Sequence, residues 1–277
     1  MEKLYAKKSL GQNFLVDGNV LSRIVTAAGI DQEEMVLEIG PGKGALTELL
    51  AKKARQVLAV ELDNRLVEYL GHKFLQTDNV EIIRDDILRT DLPQILSARS
   101  AGRWKVVANL PYNISSQVLF KFMENREYFS ELLLMLQKEV GERLIAPPGC
   151  KQYGILSVFC QLYFDISKQF IVKPGSFRPI PKVDSMILKF CLLPTPRVDV
   201  GDPSLFRSLV KSSFGQRRKT LWNCLKGDAL GIGDKELELA FRRSGIDPGR
   251  RGETLSLDEF AILTKALAGG ETVLFGP

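Results

Sequence analysis

The sequence is poor in one side chain on which much enzyme chemistry depends, histidine. It has a single histidine, His72, among its 277 residues, and that residue stands in a polar stretch that is typical of a solvated surface. A Ser-His-Asp arrangement needs an imidazole beside its nucleophile. The sequence therefore excludes most hydrolase chemistry that is built on histidine.

Cysteine is also scarce. The four cysteines stand far apart, at positions 150, 160, 191 and 224, and no two form a Cys-x-x-Cys pair. This spacing indicates neither a disulfide framework nor a zinc site. We therefore expect no metal centre.

Long hydrophobic runs are missing. No apolar stretch approaches the roughly 20 residues that cross a bilayer, and the first residues lack the apolar core and cleavage site of a secretory signal. The composition, 45% hydrophobic and 26% charged, is ordinary for a globular chain and excludes collagen-like and disordered classes. These features predict a cytoplasmic protein with one large domain, or a large domain and a small one.

A large excess of charge of one sign is absent as well. The chain has 38 Lys and Arg residues against 33 Asp and Glu, a formal net charge of +5. This mild excess is compatible with an anionic partner and does not establish one. Whether the chain binds an anionic partner has to be judged from the position of the charges along the sequence.

The chain does contain a regular alternation of short apolar runs and segments with helical spacing. Such alternation predicts βαβ units and a parallel sheet with helices on both faces, an α/β fold. The predicted strands cover residues 35–39, 57–61, 80–83, 105–108, 132–136 and 185–193. The predicted helices between them cover residues 45–53, 64–75 and 115–125, the last opened by a pair of serines as caps.

Turn-forming residues cluster between positions 194 and 203, and the periodicity beyond them is wholly helical. We predict an α/β domain over residues 1–195 and a small helical domain over residues 203–268. The predicted helices of the second domain cover residues 204–214, 219–225, 235–244 and 256–268.

A glycine-rich loop follows the first of these strands and opens a helix. It contains Gly40, Gly42 and Gly44, which allow a tight turn and a close approach to a ligand. With Ala45, the loop also satisfies the dinucleotide fingerprint, and Glu61 has the spacing of an acid that binds a ribose. A nicotinamide dehydrogenase is therefore one interpretation.

Acidic residues at the strand ends favour a different ligand. Glu38 stands two residues before the first glycine, and Asp85 and Asp86 follow the third strand. A ring of carboxylates repels a pyrophosphate, whereas S-adenosylmethionine carries a sulfonium and an ammonium and no phosphate. A helix cap or a surface pair is a credible alternative for Asp85 and a poor one for Glu38 and Glu61 together.

The segment Asn-Leu-Pro-Tyr at residues 109–112 directly follows the fourth strand. An exocyclic aromatic amine is a poor nucleophile, and an Asn carbonyl with a main-chain carbonyl can accept both its hydrogens and localise its lone pair. Pro111 restricts Leu110 and fixes the direction of its carbonyl, and Tyr112 offers a face on which a base stacks. The alternative is an ordinary turn with a buried tyrosine.

In these motifs the chain resembles the ribosomal RNA adenine dimethyltransferases. Within that family it resembles the bacterial small-subunit branch most. The resemblance runs nearly end to end. It rests on GQNFL at 11–15, EIGPGKG at 38–44, NLPY at 109–112, FRPIPKVDS at 177–185 and FGQRRKTL at 214–221.

The resemblance implies a role for particular residues around an S-adenosylmethionine cofactor. The implied cofactor-binding residues are Asn13 and Leu15, which would close over it, Gly40 toward its methionine part, Glu61 at the ribose, Asp86 at the adenine amine, and Asn109 at the methyl-transfer site. Glu38 and Gly42 are further predicted cofactor-binding residues. The implied catalytic residues are Asn109, Leu110, Tyr112 and Phe177, the last as a second aromatic wall opposite Tyr112. Independently of the resemblance, basic residues cluster after the catalytic motifs, and a merely solvated charged face is the alternative for any single pair. We predict RNA contacts for five of them, Arg178, Lys182, Arg217, Arg218 and Lys219.

The function implied is dimethylation of the N6 atoms of two adjacent adenines in a 3′-terminal hairpin loop of small-subunit ribosomal RNA, by a monomer acting on a pre-30S particle. The α/β domain would be catalytic and the helical domain would recognise RNA. Two alternatives on the same fold stay open: an antibiotic-resistance enzyme that modifies large-subunit RNA, and a non-catalytic RNA-binding assembly factor.

Overall fold

The computed structural model describes residues 4–7, 10–227 and 230–269. The strands are β1 (Phe14–Leu15), β2 (Met35–Ile39), β3 (Gln56–Glu61), β4 (Val80–Arg84), β5 (Trp104–Asn109), β6 (Phe129–Gln137), β7 (Phe164–Val172), β8 (Phe177–Arg178) and β9 (Ser185–Leu192). The α-helices are α1 (Gly18–Ala28), α2 (Ala45–Ala51), α3 (Asn64–Lys73), α4 (Leu92–Ser97), α5 (Ser115–Glu124), α6 (Lys138–Leu144), α7 (Ile155–Tyr163), α8 (Pro203–Ser213), α9 (Leu221–Leu225), α10 (Asp234–Ser244) and α11 (Leu257–Leu267).

Seven strands form one sheet in the order β4-β3-β2-β5-β6-β9-β7. Neighbours from β4 to β6 pair in parallel, which confirms the predicted α/β class, whereas β9 runs antiparallel to β6. The expectation of an entirely parallel sheet is therefore wrong at this side. The reason lies in the connection that leads into β9. Residues 173–184, between β7 and β9, contain no α-helix and therefore no βαβ crossover, which is the connection that parallel strands need.

The chain runs from β2 outward to β3 and β4 and then returns to β5 on the other side of β2. A crevice forms at such a reversal, at the carboxyl ends of the strands, because the two following loops leave in opposite directions. The loops after β2 and β5 carry the glycine motif and the Asn-Leu-Pro-Tyr motif. The topology therefore brings together the two motifs that the sequence singled out.

One face of this sheet is covered by α1 and α2. Asp17 caps α1 by accepting from the N–H groups of Asn19 and Val20, and Gly29 ends it in the left-handed conformation. The apolar sides of both helices are buried against strand residues of β2, β3 and β5. Each fully buried Leu or Val of such a core contributes roughly 1.5–3 kcal/mol. The core residues include Val20, Ile24, Leu46, Leu50, Val36, Val57 and Val107.

A separate two-stranded ribbon joins the N-terminal segment to the segment before β9. Strand β1 pairs antiparallel with β8, so that Phe14 lies opposite Arg178 and Leu15 opposite Phe177. This pairing fixes residues near the start of the chain beside the main sheet.

The predicted serine cap of α5 is not formed. The residue that caps this helix is Ile114, with no side-chain hydrogen bond. The Ser115 hydroxyl instead donates to the carbonyl of Tyr112 (3.2 Å). That serine therefore stabilises the turn before the helix rather than the helix start.

The chain divides into two compact units, Met1–Gly141 with Asp165–Leu192, and Glu142–Phe164 with Leu193–Pro277. The second unit consists of helices, among them α8, which Asp202 caps, and α11, which Ser256 and Glu259 begin as a capping box. Edge-to-face contacts of Phe206 with Phe159 (6.0 Å) and Phe260 (6.5 Å) form part of its core. The predicted division at residues 195–203 stays a prediction about domains; the compact units assign residues 142–164 to the helical unit. Across the described residues, every helix is too short or too polar to cross a membrane.

Candidate active site

A cavity of about 530 Å³ lies at the carboxyl ends of β2, β3 and β5. Its walls come from the N-terminal segment, the glycine loop, the turns after β3 and β4, and the loop after β5. All the sequence-predicted cofactor residues line it, namely Asn13, Leu15, Glu38, Gly40, Gly42, Glu61, Asp86 and Asn109, as do Leu110 and Tyr112.

Strand register explains why three of these side chains share one face of the sheet. Glu38 lies beside Val107 on β5 and beside Ala59 on β3. Alternate residues of a strand point to the same face, so Asn109 and Glu61, each two residues further along, point to the same side as Glu38. The polar face begins where the apolar face under α1 and α2 ends.

The glycine loop needs its glycines for two different reasons. Gly40 (φ 66°) and Gly42 (φ 59°) both adopt the left-handed backbone that a side chain disfavours. A Cβ at Gly42 would also lie 2.9 Å from the Phe14 ring, whereas a Cβ at Gly40 would meet nothing within 4 Å. Phe14 therefore packs directly on the loop, and the space beside Gly40 stays open.

Glu38 is a buried acid with one carboxylate oxygen unsatisfied. The residue is 2% exposed, and its Oε2 has no hydrogen-bond partner among the described residues. Removal of the carboxylate from water raises the pKa of Glu38 to about 8, and the nearby Glu61 acts in the same direction. An unpartnered buried acceptor that lines a cavity fits a cationic ligand group.

Glu61 is held rigidly by backbone groups. Its Oε1 accepts from the N–H groups of Leu62 and Asp63, both at 2.9 Å, and its Oε2 accepts from the Gly42 N–H at 3.3 Å. Burial raises the pKa of Glu61, and these three hydrogen bonds oppose that shift. The carboxylate thus joins the glycine loop to the turn after β3, and its Oε2 retains a lone pair for a ligand.

Asp86 begins the turn after β4. Its Oδ1 accepts from the Leu88 N–H (3.0 Å), and the exposed Arg89 lies 3.9 Å from Oδ2. Lys121 of α5 fixes the same turn by donating to the carbonyls of Leu88 and Thr90. Asp86 is one of the residues that line the cavity.

The loop after β5 is fixed on both sides. The Asn109 amide nitrogen donates to the carbonyl of Asn13 (3.2 Å), and the Leu110 N–H donates to the carbonyl of Met135 on β6 (3.2 Å). Because the Asn109 nitrogen is engaged, its Oδ1 is the atom left to accept a hydrogen bond.

Tyr112 is half-buried, and its hydroxyl lies 2.7 Å from the Ser185 hydroxyl. Burial raises the pKa of Tyr112, so the phenol is neutral over the physiological range. Ser185 is fully buried at the start of β9. This hydrogen bond fixes the position of the hydroxyl end of Tyr112.

The cavity thus combines an open glycine loop, buried acids and an Asn-Leu-Pro-Tyr loop. The chain that forms it matches a known family. The family described as Ribosomal RNA adenine dimethylase matches residues 3–268. The chain belongs to this family.

Individual relatives agree with the family. Two proteins named ribosomal RNA small subunit methyltransferase A, from Geobacter metallireducens and Geobacter sulfurreducens, are 57% and 58% identical over 96% of this chain and 97% of their own lengths. The solved structure of a dimethyladenosine transferase from Plasmodium falciparum superimposes with a TM-score of 0.78 at 27% identity, covering 90% of this chain and 95% of that one.

As a ribosomal RNA adenine dimethylase, the chain is an S-adenosylmethionine-dependent methyltransferase with a Rossmann-like fold. The dehydrogenase interpretation is therefore wrong. The residues of the cavity fit this cofactor, because the unpartnered Glu38 oxygen matches a cation and the space beside Gly40 admits a ligand. The acidic side chains of Glu61, Asp85 and Asp86 also line the cavity and would repel a pyrophosphate.

The sequence prediction missed the apolar part of the dimethylase cavity. Leu62 and Ile87 line it, each directly after one of the acids, Glu61 and Asp86. An aromatic ring that hydrogen-bonds to such an acid needs an apolar surface beside it. The adjacency of a large aliphatic residue to each acid was the signal that could have identified them.

Phe177 is the predicted catalytic residue that the structure does not bring to the cavity. It is fully buried and belongs to the core that includes Val20, Ile24 and Ile187. Its backbone pairs with Leu15, which does line the cavity. The residue pattern alone indicates a core position here, and the role as an aromatic wall stays a prediction.

The predicted RNA-binding residues divide into two kinds. Arg217 donates to the carbonyls of Lys151 (2.7 Å) and Tyr153 (3.1 Å), and Arg178 donates to those of Gly175 (3.0 Å) and Phe177 (2.7 Å), so both guanidinium groups support the backbone around them. The exposed side chains of Lys182, Arg218 and Lys219 make no hydrogen bond or ion pair within the described part of the chain.

The same division recurs in a second arginine pair of the helical unit. Arg250 donates to the Glu259 carboxylate and to Thr254, while Arg251 is exposed. In each pair one arginine stabilises the unit and its neighbour faces solvent.

Proposed function

We propose that this chain transfers methyl groups to the N6 atoms of two adjacent adenines in a 3′-terminal hairpin loop of small-subunit ribosomal RNA. The observation that carries the proposal is the position of the Asn-Leu-Pro-Tyr loop, whose Asn109 lines the same cavity as Glu38 and Glu61. The names of the two Geobacter relatives support the small subunit as the source of the RNA.

Each cofactor-side residue would bind a different part of the ligand. Glu38 and the open backbone at Gly40 would hold the amino-acid part, Glu61 the ribose hydroxyls, and Asp86 the adenine amine, with Leu62 against the ring. Bound there, S-adenosylmethionine supplies an electrophilic methyl group on a positively charged sulfur. Charge attraction from buried carboxylates is strong because little water screens it.

The target-side residues prepare the adenine amine. The Asn109 Oδ1 and the Leu110 carbonyl accept the two N6 hydrogens, and this draws the lone pair out of conjugation with the ring. No general base is required before transfer, because the methylated ammonium is acidic enough to lose its proton to solvent afterward. Catalysis then comes from proximity and fixed dipoles.

Tyr112 provides the surface on which the target base lies. Stacking of a base on an aromatic side chain contributes about 1–3 kcal/mol. The Ser185 hydroxyl fixes the ring through its 2.7 Å contact with the Tyr112 hydroxyl. A monomethylated adenine keeps the same stacking face and one N6 hydrogen, so it can be presented again for the second transfer.

The RNA partner would be held by exposed cations. Lys182, Arg218 and Lys219 are the best-placed candidates, because their side chains are exposed and unpaired within the described residues. A folded RNA in a pre-30S particle offers phosphates at many angles, which suits dispersed basic groups. We expect the chain to act on it as a monomer in the cytoplasm.

The alternative substrate is large-subunit RNA. The decisive experiment incubates the protein with unmodified small subunits, unmodified large subunits and labelled S-adenosylmethionine, and maps the methylated adenines. Dimethylation of two adjacent small-subunit adenines supports the proposal. Methylation confined to large-subunit RNA, or no transfer at all, overturns it.

A pair of variants tests the role of the loop after β5. Asn109→Ala should abolish transfer while calorimetry still detects cofactor binding, whereas Asn19→Ala, at an exposed position on α1, should retain both. Near-normal turnover by Asn109→Ala would contradict the assigned role.

A further inference from the structure

We propose that Asp63 is a positioning residue that holds the N-terminal segment (residues 4–7 and 10–15) across the candidate active site and thereby fixes the orientation of the Asn109 amide. The proposal rests on the proposed function and deepens it, because it assigns to the cofactor side of the site a part in presenting the target amine.

Asp63 stands two residues after Glu61 and caps α3. Its side chain is fully buried, and its Oδ1 accepts from the Arg65 N–H (3.3 Å) in the manner of a helix cap. The Arg65 guanidinium donates to both oxygens, at 3.2 and 2.7 Å. These hydrogen bonds hold the pKa of Asp63 well below its usual range, so the carboxylate is ionised at any physiological pH.

Two side chains of the N-terminal segment converge on the same carboxylate. Lys7 Nζ lies 3.0 Å from Oδ1, and Gln12 Nε2 donates to Oδ2 at 3.2 Å. The Gln12 side-chain oxygen in turn accepts from the backbone N–H of Lys7 (2.7 Å). Asp63, Lys7 and Gln12 therefore form a closed network that fixes one end of the segment.

Helix capping alone does not explain this network. A cap needs one side-chain oxygen, and Asn serves there as well as Asp. The second oxygen of Asp63 accepts from Gln12, which is 51 positions away in the chain. The negative charge of the carboxylate also attracts Lys7, which is 56 positions away. A buried carboxylate that gathers such distant donors has a role beyond the helix that it begins.

The other end of the segment is anchored independently. Leu15 pairs with Phe177, and the Val16 N–H donates to the carbonyl of Ser176 (2.9 Å). The Ser176 hydroxyl also donates to Asp17, the cap of α1 (2.9 Å). The segment is therefore held at two points, with the cavity between them.

Between the two anchors the segment contacts both halves of the site. The carbonyl of Asn13 accepts from the Asn109 amide nitrogen, which directs the amide oxygen away from the segment. The backbone of Gly11 comes so close to Asn113 that a Cβ would lie 2.9 Å from the Asn113 Oδ1. Phe14 packs on Gly42 of the cofactor loop.

The consequence is a specific catalytic defect when the anchor is lost. An Asn side chain can rotate by half a turn and exchange its oxygen for its nitrogen, and a donor in place of the acceptor would repel the target amine. The Asn13 carbonyl prevents that rotation only while the segment is held over the cavity. Loss of the Asp63 anchor should therefore lower kcat as well as weaken cofactor binding.

The test compares the full chain with four variants. Lys7→Met and Asp63→Asn both break the charged contact, and the second keeps the helix cap. Lys7→Arg keeps the charge and should restore the contact. Lys52→Met is the matched control, because it removes a lysine that pairs with Glu48 at 3.4 Å on the surface of α2.

Two readouts are measured, the second independent of activity. With unmodified small subunits, Lys7→Met and Asp63→Asn should lower kcat by about tenfold or more and raise the KM for S-adenosylmethionine, with the KM for RNA unchanged, as expected for loss of a hydrogen bond to a charged group. Amide hydrogen exchange in the cofactor-free protein should be about tenfold faster across residues 10–15 in these two variants.

The Lys7→Arg and Lys52→Met variants should match the parent in both readouts. Unchanged exchange across residues 10–15, or a kcat within about twofold of the parent in both anchor variants, would overturn the positioning role. If the parent itself transfers no methyl group to small subunits, the proposed function fails, and hydrogen exchange still decides whether Asp63 holds the segment.

Discussion

Replacement of Glu38 by Gln should make the cofactor-free protein more stable and less able to bind its cofactor. In the folded chain this carboxyl is buried without a hydrogen-bond partner for Oε2 among the described residues, and its pKa rises from an ordinary 4.5 to about 8. The neutral Gln has nearly the same shape and no charge to bury. The variant therefore removes the cost of ionising a carboxylate in the core.

The sign and size of the effect follow from proton linkage. Between pH 4.5 and pH 8 the unfolded chain has lost the Glu38 proton and the folded chain retains it, so the free energy of unfolding falls as pH rises and levels off above the folded-state pKa. Each pH unit inside the window costs about 1.4 kcal/mol. Between pH 6 and pH 9 the free energy of unfolding of the parent should thus fall by about 2.5 kcal/mol more than that of Glu38→Gln, because the pH dependence flattens near the folded-state pKa.

Urea denaturation at the two pH values measures this difference. A Trp222→Phe background leaves Trp104, fully buried in β5, as the one tryptophan and a reporter of the unit that contains Glu38. The exposed Glu33→Gln is the control and should follow the parent. If Glu38→Gln loses as much stability between pH 6 and pH 9 as the parent does, the carboxyl is not buried as described and the reasoning is refuted.

Three further predictions concern the glycine loop, the Tyr112 hydroxyl and the helical unit. Gly42→Ala should destabilise the protein by about 1–2 kcal/mol or more, because the residue has a left-handed φ of 59° and an aromatic ring against it; Gly18→Ala, which meets nothing within 4 Å, should not, and urea denaturation distinguishes them. Ser185→Ala should lower kcat/KM for RNA by roughly fivefold through loss of the Tyr112 hydrogen bond, with the calorimetric Kd for S-adenosylmethionine unchanged; a parallel loss of cofactor affinity would contradict this. Arg218→Glu should weaken binding to small subunits and reduce its salt dependence, as measured by filter binding across a salt series, and an unchanged slope would reject the contact with phosphate.

The parallel part of the sheet was the most predictable feature of the chain. The prediction for β2 matches both of its ends, those for β3 and β4 differ by one residue at one end, and that for β5 differs by one residue at each end. Strands β2, β3 and β5 are largely buried, and such strands are nearly continuous apolar runs. Strand β6 extends to Phe129 beyond its predicted start at 132, since the polar Ser130 and Glu131 interrupt the run.

Elements without a distinctive local pattern were not predicted. Helix α7 is a short, strongly apolar segment of nine residues, and such a segment is hard to distinguish from a buried strand by sequence. Strands β1 and β8 contain two residues each and exist only because they pair with one another. Such elements depend on the tertiary structure and not on local propensity.

The candidate site divides in the same way. Glu38, Glu61 and Asn109 could be predicted because each is the last or second-to-last residue of a strand, and strand ends converge at a known place in this fold. The contacts that orient them could not be predicted, since Lys7 and Asp63 are 56 residues apart and no local pattern connects them.

The arginine pairs of the helical unit have a consequence for how such a protein can change. Arg217 and Arg250 are tied to carbonyl and carboxylate oxygens of their own unit, while Arg218 and Arg251 are exposed. A substitution at an exposed member alters only what the surface can attract, whereas a substitution at a tied member removes hydrogen bonds that hold the fold of the unit. Partner preference can therefore drift over generations, or be redesigned, without a loss of folding competence.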